Sequence, residues 1–520
     1  MAACPLFRDY SVEMMFDFIA IAALVGLGML IWDCIEVGRN DAANLVNAVF
    51  GARVMTRRLA VAIAGAAVIA GATFSSPVME TARKGIFEPH ELTVRTALTI
   101  YVSVYFVDTL LLYGFSGFGM PVSTTACLVF ELLGAALFLA GFENIHWSKV
   151  GDVVTAIVMS IAVSGIAAFL IMRVFRGAVR DRAKDRDTIL LHGPWISGAI
   201  LTWLMWFMVF KGLKRVEAID TLKEHTFAVY GEFPVLIMTW GALTLLVHLL
   251  LVATHQFGHK YLFSATAVLG MLCMAFAFGQ NDLANAASPG LSGLALWKSG
   301  FGPNDLANIA SEIPISLWAL FGCGTLMAFG MFTREAQRVT RAQVNTGSQF
   351  DQVALYAPRW CRWVARTILR VRPHTGSLAP EPTVSEGGKK MHYDTLRASV
   401  ITGVSASVIA FASGRGLPVS TTYVAFAAVL GSGMADRVFA RGEADLKVGR
   451  AIWVITCWFL APAIGVVGTG CLATVLYHLS VFGLAVCLVL NITVRYYCRI
   501  RADAHEEKYH HSRERNTGEK

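Results

Sequence analysis

A succession of long apolar runs constrains this chain more than any other feature of its sequence. A helix needs about 20 predominantly apolar residues to cross a bilayer, and thirteen stretches approach that length. They lie at residues 14–36, 58–80, 97–115, 120–141, 151–175, 193–211, 233–254, 260–280, 311–332, 395–413, 420–440, 449–474 and 477–494. Because 55% of the 520 residues are hydrophobic and only 15% are charged, a water-soluble fold of this length is excluded. The sequence predicts an all-α polytopic membrane protein with about 11–12 transmembrane helices.

The distribution of charge orients the chain. The net charge is +8, but lysines and arginines cluster in short segments between apolar runs. This is the ordinary juxtamembrane pattern and predicts no nucleic-acid partner. Residues 173–187 and 334–394 are the most basic of these segments. The positive-inside rule places both on the cytoplasmic side, and the four apolar runs between them fit that placement.

The segment 334–394 is expected to be a mostly irregular loop with one helical stretch. Arginines recur at helical spacing between residues 359 and 370, opposite tryptophan and aliphatic side chains. Such an amphipathic helix either lies on the membrane surface or packs on the protein as a solvated loop helix, and the sequence leaves both open. We expect the segment to be dispensable for function, because it contains neither of the repeated patterns described next.

Two short patterns occur twice and in the same order. G-x-N-D-x-A-N stands at residues 38–44 and 279–285, and P-V-S-T-T stands at residues 121–125 and 418–422. The aspartate of the first pattern precedes the serine of the second by 82 positions in the first half and by 138 in the second. The excess of 56 is close to the length of the basic loop, so an insertion accounts for it.

The predicted topology makes the two halves inverted repeats. The apolar run that ends in the first G-x-N-D-x-A-N pattern heads inward, whereas the run that ends in the second heads outward. Inverted repeats with broken or re-entrant half-helices are typical of secondary transporters, whose sites lie near the bilayer midplane. The resulting division is 1–190 (first repeat), 191–258 (connecting helices), 259–333 (second repeat, first part), 334–394 (basic cytoplasmic loop), 395–495 (second repeat, second part) and 496–520 (polar tail).

The P-V-S-T-T pattern predicts a helix that begins inside the membrane. Proline ends a preceding helix and serine or threonine caps the next one, so the free N–H groups and positive dipole end would attract an anion. The hydroxyls would add donors that match a tetrahedral oxyanion. The alternative is a pair of kinked helices whose hydroxyls bond to their own carbonyls. The candidate residues are Ser123, Thr124, Thr125, Ser420, Thr421 and Thr422.

The G-x-N-D-x-A-N pattern predicts a cation site. Its aspartate and second asparagine are three residues apart and share a helix face, and oxygen ligands suit a hard cation such as sodium. The alternative is an interfacial helix cap. The candidate ligands are Asn40, Asp41, Asn44, Asn281, Asp282 and Asn285. Two aspartates beside a phosphate-like dianion would repel it unless cations or protons neutralise them, so coupling to sodium or protons is required.

Four further acidic positions carry weaker signals. Asp108 and Glu131 lie inside apolar runs, where carboxyl groups often mark an ion or proton path. Glu80 lies at a helix end, where an interfacial salt bridge is the competing interpretation. A third N-D-x-A-N at residues 304–308 follows no long apolar run, so we expect it to be loop.

Taken together, these residues resemble the inorganic phosphate transporter family, which includes sodium–phosphate symporters and low-affinity phosphate permeases. The resemblance rests on both copies of each pattern, the E-T-x-R-K-G segment at Glu80 and the central hydrophilic loop. It implies two V-shaped half-helix elements with phosphate between them, and Glu80 matches a family glutamate tied to transport. The residues it assigns to the anion and cation sites are Asp41, Asn44, Ser123, Thr124, Thr125, Asp282, Asn285, Ser420, Thr421 and Thr422, assisted by Asn40 and Asn281.

The predicted function is secondary active transport, not enzymatic catalysis. We expect a multi-pass symporter of inorganic phosphate in the cell membrane, with sodium or a proton as coupling ion and no other cofactor. The expected partners are phosphate and the lipid bilayer, and a homodimer is left open. Another tetrahedral oxyanion such as sulfate is the nearest alternative. A membrane-embedded phospho-transferase is remote, because the sequence contains no HExxH or GxSxG motif.

Overall fold

The computed structural model of the chain describes residues 5–517 except 76–85, 184, 213–216, 255, 308–314, 351–352, 354, 372–390, 416, 418 and 441. Regular structure in this described part is helical, with two isolated β-bridges, Phe87 to Ile145 and Thr93 to Leu306. The all-α class predicted from the apolar runs is confirmed.

Fifteen α-helices make up the described part of the chain. They are α1 Pro5–Gly51, α2 Arg57–Thr73, α3 Val94–Gly117, α4 Thr124–Leu139, α5 Trp147–Val179, α6 Arg186–Met205, α7 Glu217–Tyr230, α8 Glu232–Ala253, α9 Gln256–Lys298, α10 Leu317–Gly330, α11 Arg334–Thr346, α12 Arg359–Val371, α13 Thr395–Gly414, α14 Thr421–Ala435 and α15 Ala444–Thr517.

Eight helices in the described residues are long and apolar enough to cross a membrane. The longest, α15, consists of two helices joined at Ser480, where the backbone leaves helical geometry. A ninth candidate is the pair α10 and α11, which is bent by 66°. The predicted runs 120–141 and 420–440 are not full spans: α4 has 16 residues and α14 has 15. Each begins directly after its capping serine, Ser123 or Ser420, whose backbone is extended and not helical.

The helices that carry the two G-x-N-D-x-A-N patterns, α1 and α9, run in opposite directions. Gly26 packs on Val102 of α3, and the hydroxyl of Ser116 at the other end of α3 bonds Asn40, so α1 and α3 are parallel. By contrast, Leu98 near the start of α3 contacts Gly293 near the end of α9, and Tyr105 farther along α3 bonds the earlier Ala286 carbonyl, so α3 and α9 are antiparallel. The predicted inversion of the repeats is therefore present in the fold.

The half-helices α4 and α14 also diverge toward opposite ends of the bundle. Asp436, which follows α14, pairs with Arg176 at the end of α5. Helices α11 and α12 lie at the same end of the bundle. The loop that follows α4 lies at the opposite end of the bundle, before the start of α3. There the amide of His146 donates to the Ile86 carbonyl at 2.9 Å. The two half-helices thus start near one another and point away from each other.

The segment 334–394 is more ordered than expected, and the prediction of a mostly irregular loop is wrong for two parts of it. Helix α11 buries Val339 and Val344 against the bundle. Helix α12 buries Cys361 and pairs Arg362 with Asp445 of α15 at 3.0 Å, while Trp363 is 69% exposed. One face of the predicted amphipathic helix therefore packs on the protein, and the other remains free to contact a membrane surface.

Because α11 and α12 pack on the bundle, we expect only the part of the basic segment between α12 and α13 to be dispensable for transport. Replacing residues 372–390 with a short Gly/Ser linker is expected to preserve the phosphate uptake that the resemblance implies, measured in proteoliposomes, because the length of an inserted segment changes closure entropy only slightly. Replacing 340–388 should instead abolish folding, because it removes α12 and half of α11. The side of this segment can be tested by labelling Trp363→Cys, since Cys361 is buried. Labelling from outside would overturn the cytoplasmic placement.

The first glycine of each G-x-N-D-x-A-N pattern permits a close helix crossing. A Cβ at Gly38 would lie 1.8 Å from the Met327 carbonyl oxygen of α10. A Cβ at Gly279 would lie 2.3 Å from the Val68 carbonyl oxygen of α2. No real Cβ fits at these distances, so each glycine holds its motif helix against the second helix of the opposite repeat.

The substitution Gly38→Ala is expected to lower the thermal stability of the purified protein. Overpacking of this kind costs about 1–3 kcal/mol, measurable as a lower melting temperature in detergent. Gly28→Ala is the matched control on the same helix, because a Cβ at Gly28 meets nothing within 4 Å. Equal melting temperatures for the two variants would show that α1 and α10 do not cross this closely.

Candidate functional site

The two half-helices begin at buried serine caps. The Oγ of Ser123 accepts a hydrogen bond from the Ala126 amide at 3.0 Å. In the second repeat the Oγ of Ser420 accepts one from the Tyr423 amide at 3.1 Å. Both serines are 1% exposed, so these helices start inside the bundle, as the sequence predicts, and direct their N-terminal N–H groups into the interior.

The two helix starts contact each other across the repeats. Thr125 Oγ1 donates to the Val419 carbonyl at 3.0 Å. Its counterpart, Thr422 Oγ1, lies 3.1 Å from the Val122 carbonyl oxygen. Each P-V-S-T-T segment therefore holds the backbone of the other, and the positive ends of the two helix dipoles meet in one place.

The first aspartate motif is bonded to the second repeat. Thr422 Oγ1 donates to Asp41 Oδ1 at 2.5 Å. Asn44 Nδ2 reaches the same Asp41 oxygen at 2.7 Å and the Thr422 hydroxyl at 2.9 Å. A compact triangle of carboxylate, amide and hydroxyl results, with its members drawn from α1 and α14.

The second aspartate motif forms a similar triangle with the first repeat, although its carboxylate is bonded by Thr124 and not by Thr125, the counterpart of Thr422. Thr124 Oγ1 donates to Asp282 Oδ1 at 2.7 Å. Asn285 Nδ2 lies 3.0 Å from the same Asp282 oxygen and 2.9 Å from the Thr125 hydroxyl. The residues that the sequence assigned to separate cation and anion sites thus form one continuous cluster.

The preceding asparagines position the helix starts. Asn40 Nδ2 donates to the Val122 carbonyl at 2.6 Å, and its Oδ1 accepts from the Val122 amide at 3.3 Å. Asn281 Nδ2 donates in the same way to the Val419 carbonyl at 2.9 Å. Val122 and Val419 are not among the predicted site residues. Their signal was available, because a valine occupies the same place in both P-V-S-T-T copies.

The charge of the cluster needs compensation. Asp41 and Asp282 are both fully buried and lie close enough to repel each other. Asp41 Oδ2 and Asn44 Oδ1 have no hydrogen-bond partner in the part of the chain that the structure describes. Such orphaned buried oxygens are costly unless a cation or proton satisfies them. Carboxylate and amide oxygens are suitable ligands for sodium, so the donor set fits sodium, one of the two coupling ions that the sequence leaves open.

The remaining acidic positions separate into different environments. Asp108 and Glu131 are buried, but they lie outside the cluster. Asp305, in the third N-D-x-A-N sequence, lies in a turn where its Oδ2 accepts from the Gly302 amide at 2.7 Å, as expected for a loop. Glu80 and Asn308 lie outside the described residues.

An all-helical bundle whose inverted halves meet at paired half-helix starts is the architecture of a multi-pass secondary transporter. Comparison with known proteins specifies the family. The model of the phosphate transporter family matches residues 37–377 and 383–469. The chain belongs to this family, which consists of permeases and not of enzymes.

Relatives and a solved structure agree with this assignment. A "Putative phosphate permease" of Thermococcus kodakarensis is 28% identical over 448 residues, which cover 85% of this chain and 94% of the relative. One of the same description from Haemophilus influenzae is 24% identical and covers 82% and 90%. The fold matches a solved structure described as the sodium-dependent phosphate transporter, with a TM-score of 0.63 and 21% identity over 88% of this chain and 99% of that one.

Proposed function

We propose that the protein is a secondary active symporter that carries inorganic phosphate across the cell membrane together with sodium or a proton. The observation that carries this proposal is the mutual contact of the two half-helix starts at Thr125 and Thr422, beside an aspartate from each repeat. A tetrahedral oxyanion is the ligand that such paired helix N-termini favour.

The same contacts supply a reason for coupling. Thr124 and Thr422, which we propose as hydrogen-bond donors to phosphate, each donate to an aspartate in this structure. Phosphate must therefore compete with two carboxylates for the hydroxyls, and its own charge is repelled by them. Sodium or protons that neutralise Asp41 and Asp282 would remove the repulsion and release the hydroxyls. Cation and phosphate binding would then favour each other, as symport requires.

Uptake of labelled phosphate into proteoliposomes tests this function. Sodium and proton gradients are imposed separately, and we expect at least one to drive phosphate above its external concentration. An excess of sulfate should not compete, whereas arsenate should. Phosphate that only equilibrates under both gradients would indicate a channel or a uniporter. Equal competition by sulfate would indicate a broader oxyanion carrier.

A further inference from the structure

Three carboxyl groups meet inside the first repeat, away from the repeated patterns. Asp33 lies on α1, Asp108 on α3 and Glu131 on α4, and each is at most 2% exposed. Asp33 precedes Asp41 by eight residues and Glu131 follows Thr124 by seven, so the group lies about 10–12 Å along these helices from the phosphate cluster. We call these three residues the carboxyl triad.

Two members of the triad are neighbours. The negative charge of Asp108 acts on the Asp33 carboxyl group. Neither oxygen of Asp33 has a hydrogen-bond partner among the described residues, and one oxygen of Asp108 also lacks one. Two neighbouring buried carboxylates repel each other strongly, so ionisation of both is unfavourable.

The third member is an independent sign of a ligand. Glu131 is fully buried, and neither of its carboxylate oxygens has a hydrogen-bond partner among the described residues. One of them lies within 4.8 Å of both a carboxylate oxygen of Asp108 and the sulfur of Cys127. An unpartnered charge in this setting is prohibitively costly, so Glu131 must carry a proton or hold a cation.

The surrounding charges do not neutralise the triad. Arg495 of α15 is the cation that acts on Asp33, but it is already ion-paired with Glu36 and stacked over the Trp32 and Tyr113 rings. One shared guanidinium cannot balance three carboxylates. Among the residues that the structure describes, the other titratable groups near the triad and its neighbours are Cys34, Tyr105, Cys127, Cys323, Glu36 and Asp41, and none of these is cationic.

The second repeat lacks this group. The positions that correspond to Asp33, Asp108 and Glu131, measured from the matching motif residues, are Met274, Ser405 and Ala428. Buried carboxyls in the first repeat thus have no counterpart in an otherwise mirrored framework. A feature needed only to hold the inverted fold together would be expected in both halves.

We propose that Asp33, Asp108 and Glu131 form a proton-binding site that couples phosphate movement to protons; this rests on the symport function proposed above. One carboxylate of the triad takes a proton from the side on which phosphate enters and becomes a neutral carboxylic acid. It returns that proton to water on the other side, so one proton and one phosphate cross together. Sodium is the poorer occupant, because it prefers a shell of oxygens, whereas Cys127 contributes a soft sulfur.

The test uses the purified full chain in proteoliposomes with inorganic phosphate as the probe. Without sodium, an inward proton gradient should drive phosphate accumulation and acidify the lumen, read by a trapped pH-sensitive dye. Glu131→Gln and Asp108→Asn should each lose both signals while keeping exchange of internal for external phosphate. Ser405→Ala, the mirror position of Asp108, should keep all three. A merely structural role for the triad would reduce exchange and accumulation together.

Several results would overturn the proposal. Proton-driven accumulation that survives both substitutions would exclude the triad as the coupling site. Uptake that a chelator abolishes, with metal bound in the wild type and absent from Glu131→Gln, would make the triad a metal site. If the wild type shows no phosphate exchange at all, the transport proposal itself fails. Infrared spectroscopy still tests the triad in that case: a buried carboxylic-acid band at neutral pH should disappear in Glu131→Gln, and its absence from the wild type would refute a protonated triad.

Discussion

Asp41→Asn and Asp282→Asn are each expected to abolish cation-driven phosphate accumulation. Asp41 Oδ1 accepts from Asn44 and Thr422, and Asp282 Oδ1 accepts from Asn285 and Thr124. Asparagine carries no charge, so the variant loses a charge-assisted contact to the cation worth about 1.5–3 kcal/mol. Cation affinity should therefore fall about 10- to 100-fold, and phosphate accumulation should no longer respond to the cation gradient. The measurement is the initial uptake rate as a function of sodium concentration and of pH.

An aspartate in the third N-D-x-A-N sequence provides a control for the Asp41 and Asp282 substitutions. Asp305→Asn changes the aspartate of the third N-D-x-A-N sequence, which lies in an exposed turn and not on a motif helix. Its uptake should equal that of the wild type. If Asp41→Asn or Asp282→Asn keeps normal uptake with an unaltered ion dependence, that aspartate does not belong to the coupling site.

Removing the hydroxyls that cross between repeats should have the next largest effect. Thr124→Val and Thr422→Val keep the side-chain shape but delete the groups that donate to Asp282 and Asp41. Because each hydroxyl is also a proposed phosphate donor, loss of one bond to a charged group should weaken phosphate affinity about 10- to 100-fold. The concentration dependence of uptake measures this, and both variants should be affected to a similar degree.

The conservative substitutions Thr124→Ser and Thr422→Ser serve as controls, because they retain the hydroxyl. They should recover most of the lost affinity. Unchanged affinity in both valine variants would remove these threonines from the anion site. Ser123→Ala is a less direct probe, because Ser123 caps α4, and losing such a cap costs about 0.5–2 kcal/mol of stability in addition to any effect on binding.

Several local features were predictable because neighbouring residues in the sequence determine them. The proline and serine of P-V-S-T-T end one segment and cap the next within a few residues, so both half-helices begin where the sequence places them. The amphipathic spacing between residues 359 and 370 likewise predicts α12. In contrast, α11 was missed, because its high polarity resembles a loop until the bundle buries Val339 and Val344.

The sequence alone therefore determined the helical membrane class, the duplicated patterns and their inversion, because apolar length, capping and charge asymmetry are properties of single segments. Only the tertiary structure showed that each aspartate motif bonds to the P-V-S-T-T segment of the other repeat. Asp41 meets Thr422 across 381 residues and Asp282 meets Thr124 across 158. The tertiary structure also showed that the motif glycines permit close helix crossings and that Asp33 lies near Asp108 and Glu131. Contacts between distant segments depend on how every helix packs against its neighbours, and no local pattern in the chain encodes that.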